Sequence, residues 1–481
     1  MWTHFVHHSL GVLNLVIISY FLVGNGVYSL LMGISLVKVW LRSRELPLQG
    51  LEALRHSPAA PPVTIIVPAW NEQNVIVESL RAILKTDYPQ LEVIVVDDGS
   101  SDGTLAVLIA AFGLEAIRLI YRPQLPTRKI DGFYRSLQIS NLLVVSKSHG
   151  GKSDALNAGL NLCRTPYFCT LDADSVLEPD ALLRLMQSIV RSPSETAASG
   201  GIVRILNGCE VRHGRVAKVA LPPARIERFQ VVEYLRTFLF GRTGWDLLGA
   251  TMIVSGAFAV YHRATVAEAG GFSSDTVTED LELITRLHRW AVENKRRLRM
   301  TFTPDPVCWT ECPSSARMLG RQRRRWQVGL CQTLWKNRDM MFNRRYGTLG
   351  LLAFPFHVYV EALGAVVESL GYVLVPLAFA FKLAPPVLYL SFLALGLTYA
   401  AFLTTGAVVL EEITYRRYPS FRDFAALLKY ALLESLGYRQ LVVFYRLQGV
   451  VQFLAGFRRW ERVVHLGAVG AVVDKDGCEA S

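Results

Sequence analysis

The chain has 481 residues, 51% of them hydrophobic, and a mean hydropathy of +0.28. That is apolar for a soluble protein and polar for a pure bundle of membrane helices, so a soluble domain joined to membrane segments is expected. The net charge of +11 suits apposition to an anionic lipid leaflet and binding of phosphorylated substrates; no basic run is interleaved with a recognition motif, which argues against nucleic acid as a partner. Seven scattered cysteines, an odd number without a CxxC pair, read as reduced thiols of a cytosolic compartment and not as a disulfide frame or a zinc site.

No charged residue occurs from Gly11 to Val37. At about 1.5 Å per residue, a helix of that length exceeds the roughly 30 Å hydrocarbon core of a bilayer. A signal peptide is the alternative, but the run is too long for one and no Lys or Arg precedes it. Lys38, Arg42 and Arg44 follow at once, so the positive-inside rule puts Met1 outside and the rest of the domain in the cytosol. A linker is expected from Pro47 to Pro62.

Short β-branched runs at Val63 to Val67, Glu92 to Val96, Ala116 to Tyr121, Leu142 to Val145 and Tyr167 to Leu171 predict strands. Helical spacing predicts helices over Gln73 to Leu84, Leu105 to Phe112 and Asp154 to Leu162. This alternation predicts an α/β domain, a mostly parallel sheet with helices on both faces, whose ligands bind beyond the carboxyl ends of the strands. Three motifs fall at those ends: Pro68 to Glu72, Asp97 to Asp102, and Asp172 with Asp174. In the last, side chains at i and i+2 share a facing, so both carboxylates can reach one hard cation and its phosphate oxygens; a solvated turn or helix cap is the plainer alternative. The polar stretch from Arg122 to Asn141, with Pro123 and Pro126, reads as a long inserted loop.

Further on, helices are expected over Pro179 to Val190, Pro223 to Phe240, Thr278 to Val292 and Arg317 to Asn337, the last of them basic, and a strand over Gly201 to Leu206. Leu349 to Phe381 and Pro386 to Leu410 are each long enough to cross a bilayer. Glu361 and Glu368 share a face of the first, which points that face at a bundle interior or a wet cavity. The apolar region Phe424 to Phe457 carries Lys429, Glu434, Arg439 and Arg446 and ends in Arg458 and Arg459; an interfacial helix or a returning helix pair fits it as well as a simple span.

The motifs VPAWNE, VVDDGSSDGT, GGKSDALNAGL, TLDADS, SGAFAVYHR, VTEDLEL and QRRRW, in this order and flanked by apolar segments, resemble the processive family 2 glycosyltransferases. Bacterial poly-N-acetylglucosamine synthases are the nearest likeness, with cellulose and hyaluronan synthases further off. The resemblance implies a GT-A fold inserted between transmembrane helices. It also implies domains over 1–45 (membrane helix), 46–312 (cytosolic GT-A domain), 313–346 (interfacial helix with QRRRW), 347–460 (membrane and interfacial helices) and 461–481 (tail).

By the same resemblance, Pro68, Glu72 and Asp98 meet the nucleotide, though Asp98 also fits an Asx-turn with Gly99 and Ser100. Lys152 would meet the diphosphate with Asn157 nearby, against a solvated loop lysine as the alternative. Asp172 would support the nucleotide sugar and Asp174 would ligate a Mg2+ or Mn2+. Asp280, beside Glu279, would be the general base, where an acidic helix start is the plain reading. Ser255, Gly256, Gln322 and Trp326 would hold the acceptor, and Arg325 the leaving diphosphate. Arg321, Arg323 and Arg324 are expected to face lipid headgroups, and His262 and His288 are taken as structural.

The implied activity is inverting, metal-dependent transfer from a UDP-sugar (UDP-N-acetylglucosamine, or UDP-glucose) to the non-reducing end of a growing polysaccharide. Passage of the product across a cell (inner) membrane is coupled to it. The rivals are a non-processive transferase acting on a lipid acceptor, and a transporter or scaffold with an inactive nucleotide-sugar domain. The retention of Asp98, Asp172, Asp174 and Asp280 argues against the second. The partners implied are the UDP-sugar, the polysaccharide and the bilayer; no motif identifies an accessory export or regulatory subunit.

Overall fold

The computed structural model describes residues 2–45, 48–193, 195–212, 214–381 and 385–456. The expected tail 461–481, with Cys478, and the closing arginines Arg458 and Arg459 lie outside the described residues. The described residues divide into two compact units: those within 41–223 and 248–312 form one, and those within 2–40, 224–247 and 313–456 the other.

The first unit is built on a ten-stranded sheet. Its strands are β1 (Val63–Ala69), β2 (Leu91–Asp97), β3 (Leu114–Ile117), β4 (Ile130–Ser136), β5 (Leu142–Lys147), β6 (Tyr167–Leu171), β7 (Val176–Leu177) and β8 (Thr196–Ile205). A separate hairpin of β9 (Glu210–Arg212) and β10 (Arg215–Lys218) follows, then β11 (Phe258–His262) and β12 (Arg299–Thr310). The sheet order is β3-β4-β5-β2-β1-β6-β11-β8-β12-β7. The centre, β5-β2-β1-β6, is parallel throughout, as the continuous Val/Ile runs predict for strands covered on both faces. Every residue from Val63 to Val67 has essentially no exposure, so side chains pointing either way from β1 meet protein. The flanks are where antiparallel pairs enter, β3-β4-β5 on one side and β6-β11-β8 on the other.

Two sequence expectations change here. The stretch 122–141 is not a simple loop: its second half forms β4, which pairs antiparallel with both β3 and β5. The expected linker contains the helix Leu48–Arg55, whose Leu51 is buried and whose Gly50 lies against Gln187.

The second unit is helical. Two of its helices, Ile17–Leu41 and Tyr389–Thr414, are long and apolar enough to cross a membrane, and a third candidate is the pair Leu349–Ala362 and Gly364–Ala380, bent by 41°. Pro355 and two π-helical stretches precede the bend, which accounts for a break in the i→i−4 ladder. The charged apolar region near the C-terminus is a helix pair, Phe421–Leu433 and Tyr438–Leu454, parted near Gly437 with its φ of 104°. Three of its charges are matched inside this unit: Arg439 pairs with Glu368 at 3.0 Å, Arg446 with Glu361 at 3.2 Å, and Glu434 with Arg236 at 2.6 Å.

The helix Ala316–Lys336 corrects another expectation. Arg323 is buried against Glu233 at 2.7 Å and so does not face lipid headgroups, while Arg324 is half-buried and donates to Gln448 at 3.0 Å. Arg323 also lies over the ring of Trp326, 4.4 Å from its centroid.

Candidate active site

Because β5, β2, β1 and β6 are parallel neighbours, their carboxyl ends emerge along one edge of the sheet. Strand β11 runs antiparallel to β6, with Phe258 opposite Leu171, so the residues just before it, Ser255 and Gly256, come to the same edge. The topology alone therefore gathers most of the expected site residues of this unit.

The loops after β1 and β2 are laced together. Asn71, in the left-handed region at φ 58°, accepts from the Ser101 amide at 2.7 Å, and its own amide donates to Ser100 Oγ at 2.9 Å. The amide of Glu72 donates to Thr104 Oγ1 at 2.9 Å, and Thr104 is tied in turn to Asp102. Pro68 sits within β1 opposite Val96. Trp70, partly exposed, stacks on His149 with ring centroids 4.6 Å apart.

Asp98 is buried, and both its carboxylate oxygens are engaged by the loop after β5. Oδ1 accepts from Lys147 Nζ at 2.5 Å and from the Gly150 amide at 3.0 Å; Oδ2 accepts from the Gly151 amide at 2.7 Å and lies 2.9 Å from His149 Nδ1. Gly151, at φ 90°, allows the sharp entry into the helix Lys152–Leu162. Asn157 on that helix is spent on a backbone clamp: its amide donates to the Phe272 carbonyl and accepts from the Phe272 amide, both at 2.8 Å.

Lys152 is where the expected residues converge. Its ammonium lies 2.6 Å from Asp172 Oδ1, 2.9 Å from Glu279 Oε1 and 3.5 Å from the Gly256 carbonyl oxygen. Burial works to neutralise this lysine, but the two carboxylates outweigh it and hold the ammonium well above the usual lysine range. Asp174 is buried two residues past Asp172, with Ser175 Oγ 3.4 Å from it. Asp280 stands so close to Gly256 that a Cβ there would lie 2.9 Å from Asp280 Oδ2. His262 caps the helix Arg263–Glu268 through Thr265, and His288 bonds the Thr251 carbonyl at 2.8 Å; burial lowers the pKa of both, which fits structural duties.

Gln322, Arg325 and Trp326 lie on the helix Ala316–Lys336 of the other unit. Gln322 Oε1 is buried without a protein donor among the described residues.

No group of three His, Cys, Asp or Glu side chains that could hold a metal occurs among the described residues. The donor set still fits Mg2+ or Mn2+ brought by a diphosphate, because such ions are commonly held by one or two carboxylates together with substrate phosphate oxygens, and Asp174 can supply one.

Lys147 was not anticipated from sequence. Its side chain has no exposure and sits between Asp98 and Asp154, 2.5 and 2.6 Å away. A lysine closing a strand ordinarily reads as solvated, and nothing local marks its partners, which come from two other elements.

A mixed sheet with its acidic and glycine-rich loops along one edge defines an α/β domain that binds its ligand at the carboxyl ends of the strands. The chain belongs to the glycosyltransferase-like family 2, whose profile matches residues 61–329. It is 25% identical over 267 residues to a poly-beta-1,6-N-acetyl-D-glucosamine synthase of Staphylococcus epidermidis, covering 56% of this chain and 54% of that protein. It is likewise 25% identical over 296 residues to the synthase of the same name from Staphylococcus aureus, covering 62% of this chain and 59% of that one. The chain thus spans little more than half the length of these curated relatives.

Among solved structures, the mannosyltransferase PcManGT of Pyrobaculum calidifontis, in complex with GDP-Man and Mn2+, aligns with a TM-score of 0.49 at 21% identity, over 85% of this chain and 99% of that one. Residues 1–349 of Staphylococcus aureus TarS in complex with UDP-GlcNAc align with a TM-score of 0.37 at 16% identity, over 82% and 92%.

Proposed function

We propose that the protein is an inverting, metal-dependent glycosyltransferase that moves a sugar from a UDP-sugar onto the non-reducing end of a polysaccharide. UDP-N-acetylglucosamine is the first candidate donor, in keeping with the names of the curated relatives. The observation that carries the reading is the meeting of Lys152 with Asp172 and Glu279, with Asp174 and Asp280 close by in sequence, at the carboxyl edge of the sheet. The apolar helices support a multi-pass protein of the cell (inner) membrane, and Lys38 with Arg42 and Arg44 supports a cytosolic catalytic domain.

In this reading the Gly150–Gly151 turn and Lys152 receive the donor's diphosphate, and Asp172 and Glu279 keep Lys152 charged until it arrives. Asp280 accepts the proton of the acceptor hydroxyl as that oxygen bonds to the anomeric carbon and the bond from that carbon to the diphosphate breaks, releasing UDP. A Mg2+ or Mn2+ on Asp174 would neutralise charge building on the diphosphate. By the family resemblance alone, Arg325 is assigned to the leaving group and Gln322 and Trp326 to the acceptor sugar.

Incubating membranes with single UDP-sugars and sizing the labelled product tests the reading. Polymer from one UDP-sugar supports it; single-sugar lipid products from every donor would replace it with the non-processive alternative.

A further inference from the structure

We infer that Lys147, with Asp154, is a positioning clamp that holds the donor-binding turn Gly150–Gly151 in shape and ties a strap of the chain, 124–131, to it. The inference rests on the proposed use of this turn for a UDP-sugar.

The ammonium of Lys147 has all three hydrogens placed: on Asp98 Oδ1 at 2.5 Å, on Asp154 Oδ1 at 2.6 Å and on the Ser148 carbonyl at 2.7 Å. A lysine without exposure persists only where it is fully paired. Each partner fixes a different element. Asp98 follows β2 and accepts the Gly150 and Gly151 amides. Asp154 is in the first turn of the helix that begins at Lys152, so it sets where that helix starts. Lys147 itself ends β5. Three elements therefore converge on one cation, and the turn between them has little freedom left.

The same carboxylate holds the strap. Both oxygens of Asp154 accept from the Arg128 amide, at 3.2 and 3.0 Å. Asn161, further along the helix, accepts the amides of Gln124 and Leu125 at 2.9 Å and donates to the Leu125 carbonyl at 2.9 Å. Next in the strap, the Lys129 carbonyl accepts the Ser148 amide at 2.9 Å, and Asp131 accepts Ser148 Oγ at 3.2 Å. Added to Gly150, a Cβ would meet Asp154 at 2.6 Å and Arg128 Cγ at 2.9 Å, so the strap also closes over the turn. Lys147 acts on the sugar donor only through the turn.

The test measures UDP binding by calorimetry and initial rates on the full-length protein in detergent, for wild type, Lys147→Met, Asp154→Asn and the double variant. Loss of hydrogen bonds to a charged group should weaken UDP binding by about ten- to a hundred-fold in Lys147→Met, with KM for UDP-sugar rising in step and kcat at saturation changing little. Asp154→Asn leaves the Lys147–Asp98 pair intact and should show a smaller loss of affinity near wild-type stability, which keeps the test usable if Lys147→Met does not fold. The double variant removes one of the carboxylates left unpaired by Lys147→Met, so its unfolding midpoint should recover while UDP affinity stays low. Affinity that recovers together with the midpoint, or an Asp154→Asn protein with wild-type affinity, overturns the clamp. A wild type that binds no UDP overturns the donor reading itself, and the clamp with it.

Discussion

Replacing Gly256 by alanine separates position from stability at the proposed base. A Cβ at 256 would stand 2.9 Å from Asp280 Oδ2 and 3.2 Å from its Cγ. Ordinary contact begins near 3.4 Å, so the carboxylate must move by about 0.5 Å. Gly256 does not have a positive φ, and the obstructing oxygen is the end of a short side chain that can rotate aside, so the folded state loses little. Misplacing a catalytic group by 1 Å can cost about 10²-fold, and a shift about half as large should lower kcat about ten-fold. Steady-state rates at saturating UDP-sugar, beside a thermal melt, read both quantities. A Gly256→Ala protein with a wild-type melt and wild-type kcat would refute the demand for a placed carboxylate at 280.

Asp174→Asn should fold and lose most transfer activity, and wild-type transfer should stop in excess chelator and return with Mg2+ or Mn2+; full activity in chelator would end the metal assignment. Since Asp172 and Glu279 raise the Lys152 pKa, the stability this lysine adds is complete below its unfolded value of about 10.4 and fades only as pH rises through the folded value. The difference in unfolding midpoint between wild type and Lys152→Met should therefore stay constant from about pH 7 to 10, and a difference that shrinks across that window would contradict the pairing. Trp326→Ala should shorten the polymer while UDP-sugar hydrolysis or single transfer persists, as stacking on a sugar is worth on the order of 1 kcal/mol; full-length polymer at the normal rate would leave Trp326 only its contact with Arg323.

The sequence made the centre of the sheet legible because strands covered on both faces need continuous apolar runs, and Val63 to Val67 and Tyr167 to Leu171 have them. Strand β4 escaped because Ile130–Ser136 is polar, lies toward the edge and owes its place to β3 and β5. Strand β12 was missed because Pro304 and Pro306 interrupt its run, and the register with β8 shifts at that point. At the site, the motifs identified Lys152, Asp172 and Glu279, and the fold brings each of the two carboxylates within 3 Å of the Lys152 ammonium. The partnerships of Lys147 and Arg323 were invisible, since each depends on carboxylates brought in by other elements, Asp98 and Asp154 for one and Glu233 for the other. Arg323 and Arg324 read alike in the sequence, and only packing sets Arg323 apart as buried against Glu233.

Asp280→Asn tests most directly whether Asp280 takes the acceptor's proton at a UDP-sugar site on this sheet edge. The variant, full length and in membranes, is compared with wild type for UDP binding and for sugar transferred from the active UDP-sugar. Retained UDP affinity with transfer lowered by about 10² to 10⁴, the usual contribution of a positioned base, is the expected result. Transfer at the wild-type rate by a protein that binds UDP normally would contradict it.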